Sequence, residues 1–181
     1  GVAGISAQED CHAAQARPFL QLSGRCGSSV AGIGAARVTT AHYSVIVKAT
    51  AQTTIAGPAL VDWASLGEVS KEELGSSRIH TRNGSIDDEA SSEAEAFSLA
   101  QQFLSYLPNH VDELPERLTC LDPTDRRSDL LNDLVPKNPR KVYKMRRAIT
   151  EIVDADSFFE IGRQWGKSII TGLARLDGIS V

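Results

Sequence analysis

The sequence has few cysteines, and their spacing argues against two kinds of site. Cys11, Cys26 and Cys120 are far apart, and none forms the close pair that a zinc site or a redox motif needs. The four histidines are equally scattered, and none has a partner at ligand spacing on one helical face. We therefore expect reduced intracellular thiols and no bound metal.

Long apolar runs and an excess of positive charge are also missing. No hydrophobic stretch approaches the length that spans a membrane. The net charge of -4 provides no broad cationic face for nucleic acid. We expect no membrane and no nucleic-acid partner, and a location in the cytoplasm or the mitochondrial matrix. Residues 1–17 lack the pattern of a secretory signal and begin with Gly rather than Met, so we expect a partial chain.

The patterns of several enzyme classes are absent or incomplete. Gly32 and Gly34 match the first two glycines of a dinucleotide fingerprint, but Arg37 occupies the third position. The Gly-Lys-Ser sequence at 166–168 lacks the earlier glycine of a phosphate loop, because Ile161 stands there. No serine lies in a Gly-x-Ser-x-Gly elbow. Nucleotide-binding and serine-hydrolase functions are therefore disfavoured.

The sequence does contain a run of small residues between a predicted strand and a predicted helix, at 30–36. Small side chains let another molecule approach the backbone closely. Free amides at a helix start can hold developing negative charge, with help from the helix dipole. The segment therefore suits a thioester enolate, a tetrahedral oxyanion or a phosphate. A tight turn without a ligand explains this segment alone equally well.

The hydrophobic pattern predicts a mixture of strands and helices. Capping boxes at Ser70 and Ser92 start two of the helices, and Gly75 is expected to end the first in a left-handed conformation. A buried apolar face is expected on the helix that begins at Pro139, and Asp177-Gly178 predicts a hairpin. Strands are predicted at 19–24, 43–48, 53–56, 78–81 and 168–176, and helices at 58–63, 70–75, 92–107 and from 139.

The order of motifs from about Gly27 to Val181 resembles the carboxyltransferase β subunit of biotin-dependent acyl-CoA carboxylases, of the propionyl-, methylcrotonyl- and acetyl-CoA type. No single motif carries this resemblance. The motifs are residues 31–34, 55–58, 67–75, His80 before Asn83-Gly84, 103–108, 122–126, 153–154 with 158–160, and 171–178.

The resemblance implies an α/β fold, the β-β-α spiral of the ClpP/crotonase type. It divides the chain into an irregular segment (1–17), the second half of an N-terminal carboxyltransferase domain (18–108), an inter-domain connector (109–138) and the start of a C-terminal domain (139–181). It also implies a homo-oligomer, whose site forms between one subunit's first domain and another's second domain.

The resemblance further implies carboxyl transfer from carboxybiotin to the α carbon of an acyl-CoA. The biotin is carried by a biotin carboxylase or carboxyl-carrier subunit. Backbone amides of Gly32 and Ile33 are expected to form the oxyanion hole. The remaining predicted substrate contacts are Ala31, Gly34, Gly57, Pro58 and Gly75.

Two departures from the family pattern and two alternatives accompany this interpretation. Ile33 replaces a glycine, and Gly75-Ser76 stands where a glycine pair is usual. A crotonase-type hydratase or isomerase should have a catalytic carboxylate soon after the oxyanion turn, and residues 35–43 contain none. An inactive assembly fragment of the same fold is the other alternative, and CoA binding would separate it from the enzyme.

Overall fold

The computed structural model divides into two compact units. One contains the chain up to Gln102 together with Gly162–Ile169, and the other contains Phe103–Ile161 together with Ile170–Val181. The residues that the structure describes are 22–25, 29–48, 50–64, 67–110, 112–123, 125–138 and 140–181. The predicted segment 1–17, the first residues of the predicted strand 19–24, Cys11 and Cys26 lie outside these ranges.

Short strands alternate with helices in the first unit. A strand followed by a helix and a second, parallel strand is the arrangement of α/β proteins. The elements are β1 (Leu22–Arg25), β2 (Ser29–Ala31), α1 (Ile33–Thr39), β3 (Tyr43–Val47), β4 (Gln52–Thr54), α2 (Pro58–Trp63), α3 (Lys71–Gly75), α4 (Ser77–Asn83), β5 (Asp88–Ala90) and α5 (Glu93–Ser105).

Two small parallel sheets organise this unit. The first has the order β1-β3-β5, with Leu22 opposite Tyr43 and Val45 opposite Asp88. The second pairs β2 with β4, with Ala31 opposite Thr54. All five residues of the central strand β3 are buried, as expected for a parallel strand covered on both faces. The β2–β4 sheet places the candidate site.

Hydrogen bonds across β3 and β5 hold the first sheet together. The buried Tyr43 hydroxyl donates to Oδ2 of Asp88 at 3.1 Å. Burial, and then the nearby Asp88 carboxylate, raise the pKa of Tyr43 far above its ordinary value, so the phenol stays protonated. The Ser44 amide donates to Oδ2 of Asp87 at 2.8 Å. The polar start of β3 is thus satisfied without solvent.

The second unit begins within the last turn of α5. Its strands are antiparallel: β6 pairs with β7, and β8 with β9. Phe159 of β6 packs near Phe103 and Tyr106, with ring centroids 6.3 and 6.2 Å away. The elements are α6 (Leu130–Leu134), α7 (Met145–Ile152), β6 (Phe159–Ile161), β7 (Thr171–Leu173), β8 (Arg175–Leu176) and β9 (Ile179–Ser180).

A buried arginine adds a polar centre to this small core. The Arg175 guanidinium lies 4.0 Å from the centroid of the Tyr106 ring, a cation–π geometry. Its Nη2 donates to the Ser105 carbonyl at 2.9 Å, and the Tyr106 hydroxyl donates to the Ser157 carbonyl at 2.6 Å. These contacts join the end of α5 to β8 and to the segment before β6.

Several predicted elements are confirmed. The strand predicted at 43–48 is β3, and the helix predicted at 58–63 is α2, with proline at its start. The capping box of Ser70 and Glu73 is present in full at α3. The Asp177-Gly178 hairpin forms with φ of 53° and 74°, and Ile179–Ser180 supplies its second strand.

Several local predictions are wrong. The strand predicted at 168–176 is two short strands, Thr171–Leu173 and Arg175–Leu176, and residues 168–170 lie outside both. Residues 78–81 lie in helix α4 rather than in a strand, because Gly84 ends that helix in a left-handed cap at φ 80° instead of forming a hairpin turn. Gly75 is the last residue of α3 and has no positive φ, since extended Ser76 ends the helix. The helix predicted from Pro139 begins only at Met145, so residues 140–144 are not helical, and Pro139 itself lies outside the described residues.

The predicted apolar face of that last helix is also not buried in this structure. Val142 is 98% exposed and Ile152 is 58% exposed, whereas the small Ala148 is buried. Helical spacing alone identified a stripe but could not show what covers it. Among the described helices, none combines the length and the apolar character needed to cross a bilayer.

Candidate functional site

The turn from β2 into α1 has a backbone shape that requires glycine. Gly32 has φ 68° and ψ -133°, a region that L-residues rarely adopt. A Cβ added there would meet no atom within 4 Å, so space is not the constraint. The run of small residues therefore bends the chain sharply between the strand and the helix.

The amides at this turn differ in their availability. The Gly32 N–H donates to the Thr54 carbonyl at 3.0 Å, and the Ala35 N–H donates back to the Gly32 carbonyl at 3.0 Å. Within the described ranges, the N–H groups of Ile33 and Gly34 have no protein acceptor. The predicted oxyanion-hole pair of Gly32 and Ile33 stays a prediction, and in this structure the two unpaired amides of the turn are those of Ile33 and Gly34.

Three other predicted contacts lie at the same edge of the β2–β4 sheet. Ala31 ends β2, and Gly57 and Pro58 follow the end of β4 by a few residues and start α2. The carboxyl ends of parallel strands meet at one edge of a sheet, so the starts of α1 and α2 lie beyond the same edge. Sequence reasoning thus brought these residues to one place.

Gly75 packs against β4 of the same sheet. It is buried, and an added Cβ would lie 2.6 Å from Cγ2 of Thr54 and 3.0 Å from the Thr53 carbonyl oxygen. This packing lets α3 approach the backbone of β4 closely. The predicted contact between Gly75 and a substrate stays a prediction, and the contact that the structure shows for Gly75 is with the strand that holds Gly32.

Large apolar side chains surround this edge and are open to solvent. Ile33 is 78% exposed and Trp63 is 85% exposed, and Ile55 and Leu60 are exposed as well. Large exposed apolar side chains that form one patch mark binding surfaces, and these residues are candidates for such a patch. Sequence reasoning missed Ile55, which directly follows β4, and Leu60 and Trp63, which lie on α2.

A second cluster, of Cys120, Asp122 and Asp154, lies in the second unit. Their possible ligand atoms are within 4.8 Å of one another, beside a cavity of about 320 Å³. Oδ2 of Asp122 accepts from Nη1 of Arg126 at 2.6 Å and from the Ala155 amide at 3.0 Å. The arginine already balances this carboxylate.

The remaining members of the cluster are also hydrogen-bonded. Asp154 accepts from the Asp177 amide at 2.9 Å and from the Gly178 amide at 2.7 Å. The pKa of the Cys120 thiol is lowered by a backbone hydrogen bond at Asp122, but burial and the Asp154 carboxylate raise it more, so the thiol stays protonated. These contacts give the cluster a structural role at the β8–β9 hairpin.

Comparison with known protein families identifies the family of this chain. Residues 6–181 match the carboxyl transferase domain family. The chain belongs to this family. The match covers nearly the whole sequence, including residues that the structure does not describe.

Two curated relatives of this carboxyl transferase domain have informative names. The chain is 35% identical over 140 residues to the propionyl-CoA carboxylase beta chain of Roseobacter denitrificans, covering 77% of this chain and 28% of the relative. It is 32% identical over 144 residues to the biotin-dependent acetyl-/propionyl-coenzyme A carboxylase beta5 subunit of Mycobacterium tuberculosis, covering 75% and 26%. The chain thus spans little more than a quarter of the length of these relatives.

A solved structure confirms the predicted fold class. Transcarboxylase 12S, crystallised as a hexamer with hydrolysed methylmalonyl-coenzyme A bound, matches with a TM-score of 0.79 and 26% identity. The match covers 86% of this chain and 31% of that one. This carboxyl transferase domain therefore has the crotonase-type α/β fold.

Replacing Gly32 by alanine should destabilise this carboxyl transferase domain, whereas the same change at Gly57 should not. Both sites have open space for a methyl group, but Gly57 has φ -77° and ψ 168°, which alanine adopts easily. Backbone strain at Gly32 should cost about 2 kcal/mol of unfolding free energy. Urea unfolding of the two variants measures this, and equal stabilities would contradict a conformational role for Gly32.

Acid should weaken the hairpin that Asp154 holds. Partial burial raises the pKa of Asp154, but the hydrogen bonds from the Gly178 and Asp177 amides lower it more. The Cys120 thiol and the charge of Arg126 lower it further, so the pKa of Asp154 lies below its ordinary value. A lowered pKa contributes stability above the carboxyl group's ordinary pKa, and this stability is lost as the pH falls through the lowered pKa.

Asp154→Asn is the matched variant for this pH dependence. It should be less stable than the unchanged protein at neutral pH and should lose less stability on acidification. Unfolding midpoints in urea between about pH 7 and pH 3 compare the two proteins. Parallel curves would show that Asp154 does not contribute to the acid sensitivity.

Proposed function

We propose that the protein containing this chain is the carboxyltransferase component of a biotin-dependent acyl-CoA carboxylase. The family match over residues 6–181 carries this proposal. It is supported by relatives named as propionyl-CoA carboxylase subunits and by the structural match to transcarboxylase 12S. The substrate would be an acyl-CoA, whose α carbon receives the carboxyl group.

The turn at Gly32 suits the charge that this reaction creates. Removal of the α proton of a thioester moves negative charge onto its carbonyl oxygen. The free amides of Ile33 and Gly34, at the start of α1, can donate two hydrogen bonds to that oxygen. This use of the backbone explains why the sequence contains no recognisable acid–base motif beside the turn.

The exposed apolar edge suits the rest of the substrate. Ile33 begins α1, Ile55 follows the end of β4 and Trp63 ends α2, and all three side chains are open to solvent. Apolar side chains around a few fixed donors are the usual lining of a small-molecule site. We infer that this edge contacts the acyl group and the uncharged arm of CoA, with Ala31, Gly34, Gly57 and Pro58 allowing the close approach.

The carboxyl group would come from carboxybiotin on a biotin carboxylase or carboxyl-carrier partner. The free amides of Ile33 and Gly34 fit the thioester oxygen. Biotin would be bound by residues outside those proposed here for the acyl-CoA. A homo-oligomer would complete the site with another subunit's second domain, and the predicted domain boundaries remain part of this proposal. The compartment would be the cytoplasm or the mitochondrial matrix.

An inactive assembly fragment is the second candidate, because the described second unit exposes large apolar side chains that need cover. Leu114 and Leu121 are more than 90% exposed. A crotonase-type hydratase or isomerase is not favoured, since the family match points to carboxyl transfer and residues 35–43 contain no carboxylate.

Transfer of a carboxyl group from methylmalonyl-CoA to free biotin tests the proposal. In this reverse direction the biotin ureido nitrogen gains the carboxyl group, and the thioester α carbon takes the proton, which yields propionyl-CoA. We expect the purified protein to form propionyl-CoA only when biotin is present, and chromatography measures this product. Hydration of crotonyl-CoA without biotin would indicate the hydratase instead. Saturable CoA-thioester binding without any turnover would favour the assembly fragment.

A further inference from the structure

His80 on helix α4 contacts the outer edge of β4. Its Nε2 lies 2.6 Å from the Thr53 carbonyl oxygen. A carbonyl oxygen only accepts hydrogen bonds, so Nε2 carries the proton and donates. Successive residues of a parallel strand direct their backbone groups to opposite sides. Because the Thr54 carbonyl faces β2 and accepts from Gly32, the Thr53 carbonyl faces the other edge, where the described residues provide no further strand.

The position of His80 is fixed by the end of its own helix. Its carbonyl oxygen accepts from the Ser85 amide at 3.0 Å and from the Ile86 amide at 3.1 Å, and Gly84 closes the helix in a left-handed cap. The other ring nitrogen, Nδ1, is buried and has no partner in the described part of the chain. A buried nitrogen without a hydrogen bond lowers the stability of the fold, so we infer that the hydrogen bond made by Nε2 offsets this loss.

The strand that His80 contacts is short and depends on its neighbours. β2 and β4 pair over three residues each, and a two-stranded ladder of this length is not stable alone. Gly75, at the end of α3 and just before α4, packs closely against Thr53 and Thr54. The hydrogen bond from His80 satisfies the one carbonyl of this strand that faces away from β2.

We propose that His80 is a positioning residue for the amides at the start of α1. It holds the Thr53–Thr54 peptide, the Thr54 carbonyl holds the Gly32 amide, and Gly32 sets the direction of the Ile33 and Gly34 amides. Without the His80 contact this peptide is held only by the short β2–β4 pairing and the packing of Gly75, so we expect Gly32 to leave its constrained conformation more often. The consequence for catalysis rests on the proposed function, but the consequence for Gly32 does not.

The catalytic effect should appear mainly in the turnover number. The charge on the thioester oxygen develops as the reaction proceeds, so misdirected amides weaken the transition state more than the bound substrate. A role limited to stability would instead reduce the amount of folded protein and leave the kcat of the folded fraction unchanged.

Two amide variants separate the donor from the ring. In His80→Gln the side-chain nitrogen stands close to the original Nε2 position and can still donate to Thr53. In His80→Asn the side chain is too short for its nitrogen to reach the Thr53 carbonyl. Hydrogen exchange of the Gly32 amide, measured by NMR on the whole protein, reports the coupling directly, and kcat and KM for methylmalonyl-CoA report its consequence.

We expect the Gly32 amide to exchange at least tenfold faster in His80→Asn, with kcat lowered about tenfold and KM changed less than twofold. His80→Gln should remain within twofold of the unchanged protein in all three measurements. Unchanged Gly32 exchange in His80→Asn, or equal damage in both variants, would overturn the inference. If His80→Asn does not fold, Gly32 exchange is measured in His80→Ser instead. This variant also has a side chain too short to reach Thr53, so faster Gly32 exchange is expected there and unchanged exchange would overturn the inference. If the unchanged protein shows no carboxyl transfer, the proposed function fails, and Gly32 exchange still decides the positioning role.

Discussion

Replacing Ile33 by proline is expected to lower kcat for carboxyl transfer by about 10²–10³-fold, the usual effect of losing one oxyanion-hole donor. Proline removes one N–H group and adds little else at this position. Ile33 is the first residue of α1, where proline is the most easily accommodated, and its side chain is 78% exposed. Gly32 before it has φ 68° and ψ -133°, the mirror image of the extended conformation that precedes proline, which glycine alone adopts readily.

The matched controls for this prediction keep the amide. Ile33→Ala and Ile33→Gly shorten the side chain but retain the N–H group, so both should keep kcat within a few-fold of the unchanged protein. Because Ile33 replaces the glycine usual in the family, Ile33→Gly should also lower KM if the isoleucine crowds the thioester. Transfer rates and urea unfolding curves of the three variants are compared. An Ile33→Pro variant that folds and turns over normally would remove this amide from the proposed mechanism.

The sequence indicated the place of the candidate site but not which amides are free. Small residues between a strand and a helix identify a sharp turn, and this turn is present at Gly32. The availability of each N–H depends on the partner strand, and Thr54 is more than twenty residues away in the sequence. Local pattern therefore predicted the turn, whereas a long-range hydrogen bond moved the free pair to Ile33 and Gly34.

The same distinction explains the errors in secondary structure. Residues 78–81 contain β-branched side chains, and Asn83-Gly84 is a common hairpin turn, so the local pattern favoured a strand. Packing against β4 outweighed this preference, since a helix places His80 against the strand edge and lets Gly84 form its cap. The capping box of Ser70 and Glu73 was predicted correctly because its hydrogen bonds join residues three apart. The predicted box of Ser92 and Glu95 is only half formed, since the Glu95 carboxylate accepts from the Ser91 amide instead.

The cluster at Asp154 shows a further limit of sequence reasoning. Cys120 and Asp122 are close in sequence but Asp154 is distant from both, so spacing gave no reason to group the three residues. The fold brings them together because Asp154 holds the turn at Asp177 and Gly178. The hairpin signal was visible in the sequence, but the carboxylate that fixes the hairpin was not.

Replacing Gly178 by alanine should destabilise the second unit by about 3 kcal/mol or more, through overpacking and a left-handed backbone. Gly178 has φ 74°, and an added Cβ would lie 1.8 Å from the Leu118 carbonyl oxygen. That oxygen belongs to the backbone, and the Leu118 amide donates to the Gly178 carbonyl at 3.0 Å, so neither segment can move without losing a hydrogen bond.

Gly166→Ala is the control that separates the clash from the backbone conformation. Gly166 also has positive φ, at 57°, but an added Cβ there meets nothing within 4 Å. It should therefore cost only about 1 kcal/mol, the penalty for a left-handed alanine. Hydrogen exchange of the peptides covering 112–123 and 171–181 should accelerate strongly in Gly178→Ala and little in Gly166→Ala. Similar exchange in both variants would show that the contact with Leu118 relaxes easily, and that the Asp154 hydrogen bonds rather than close packing hold the hairpin.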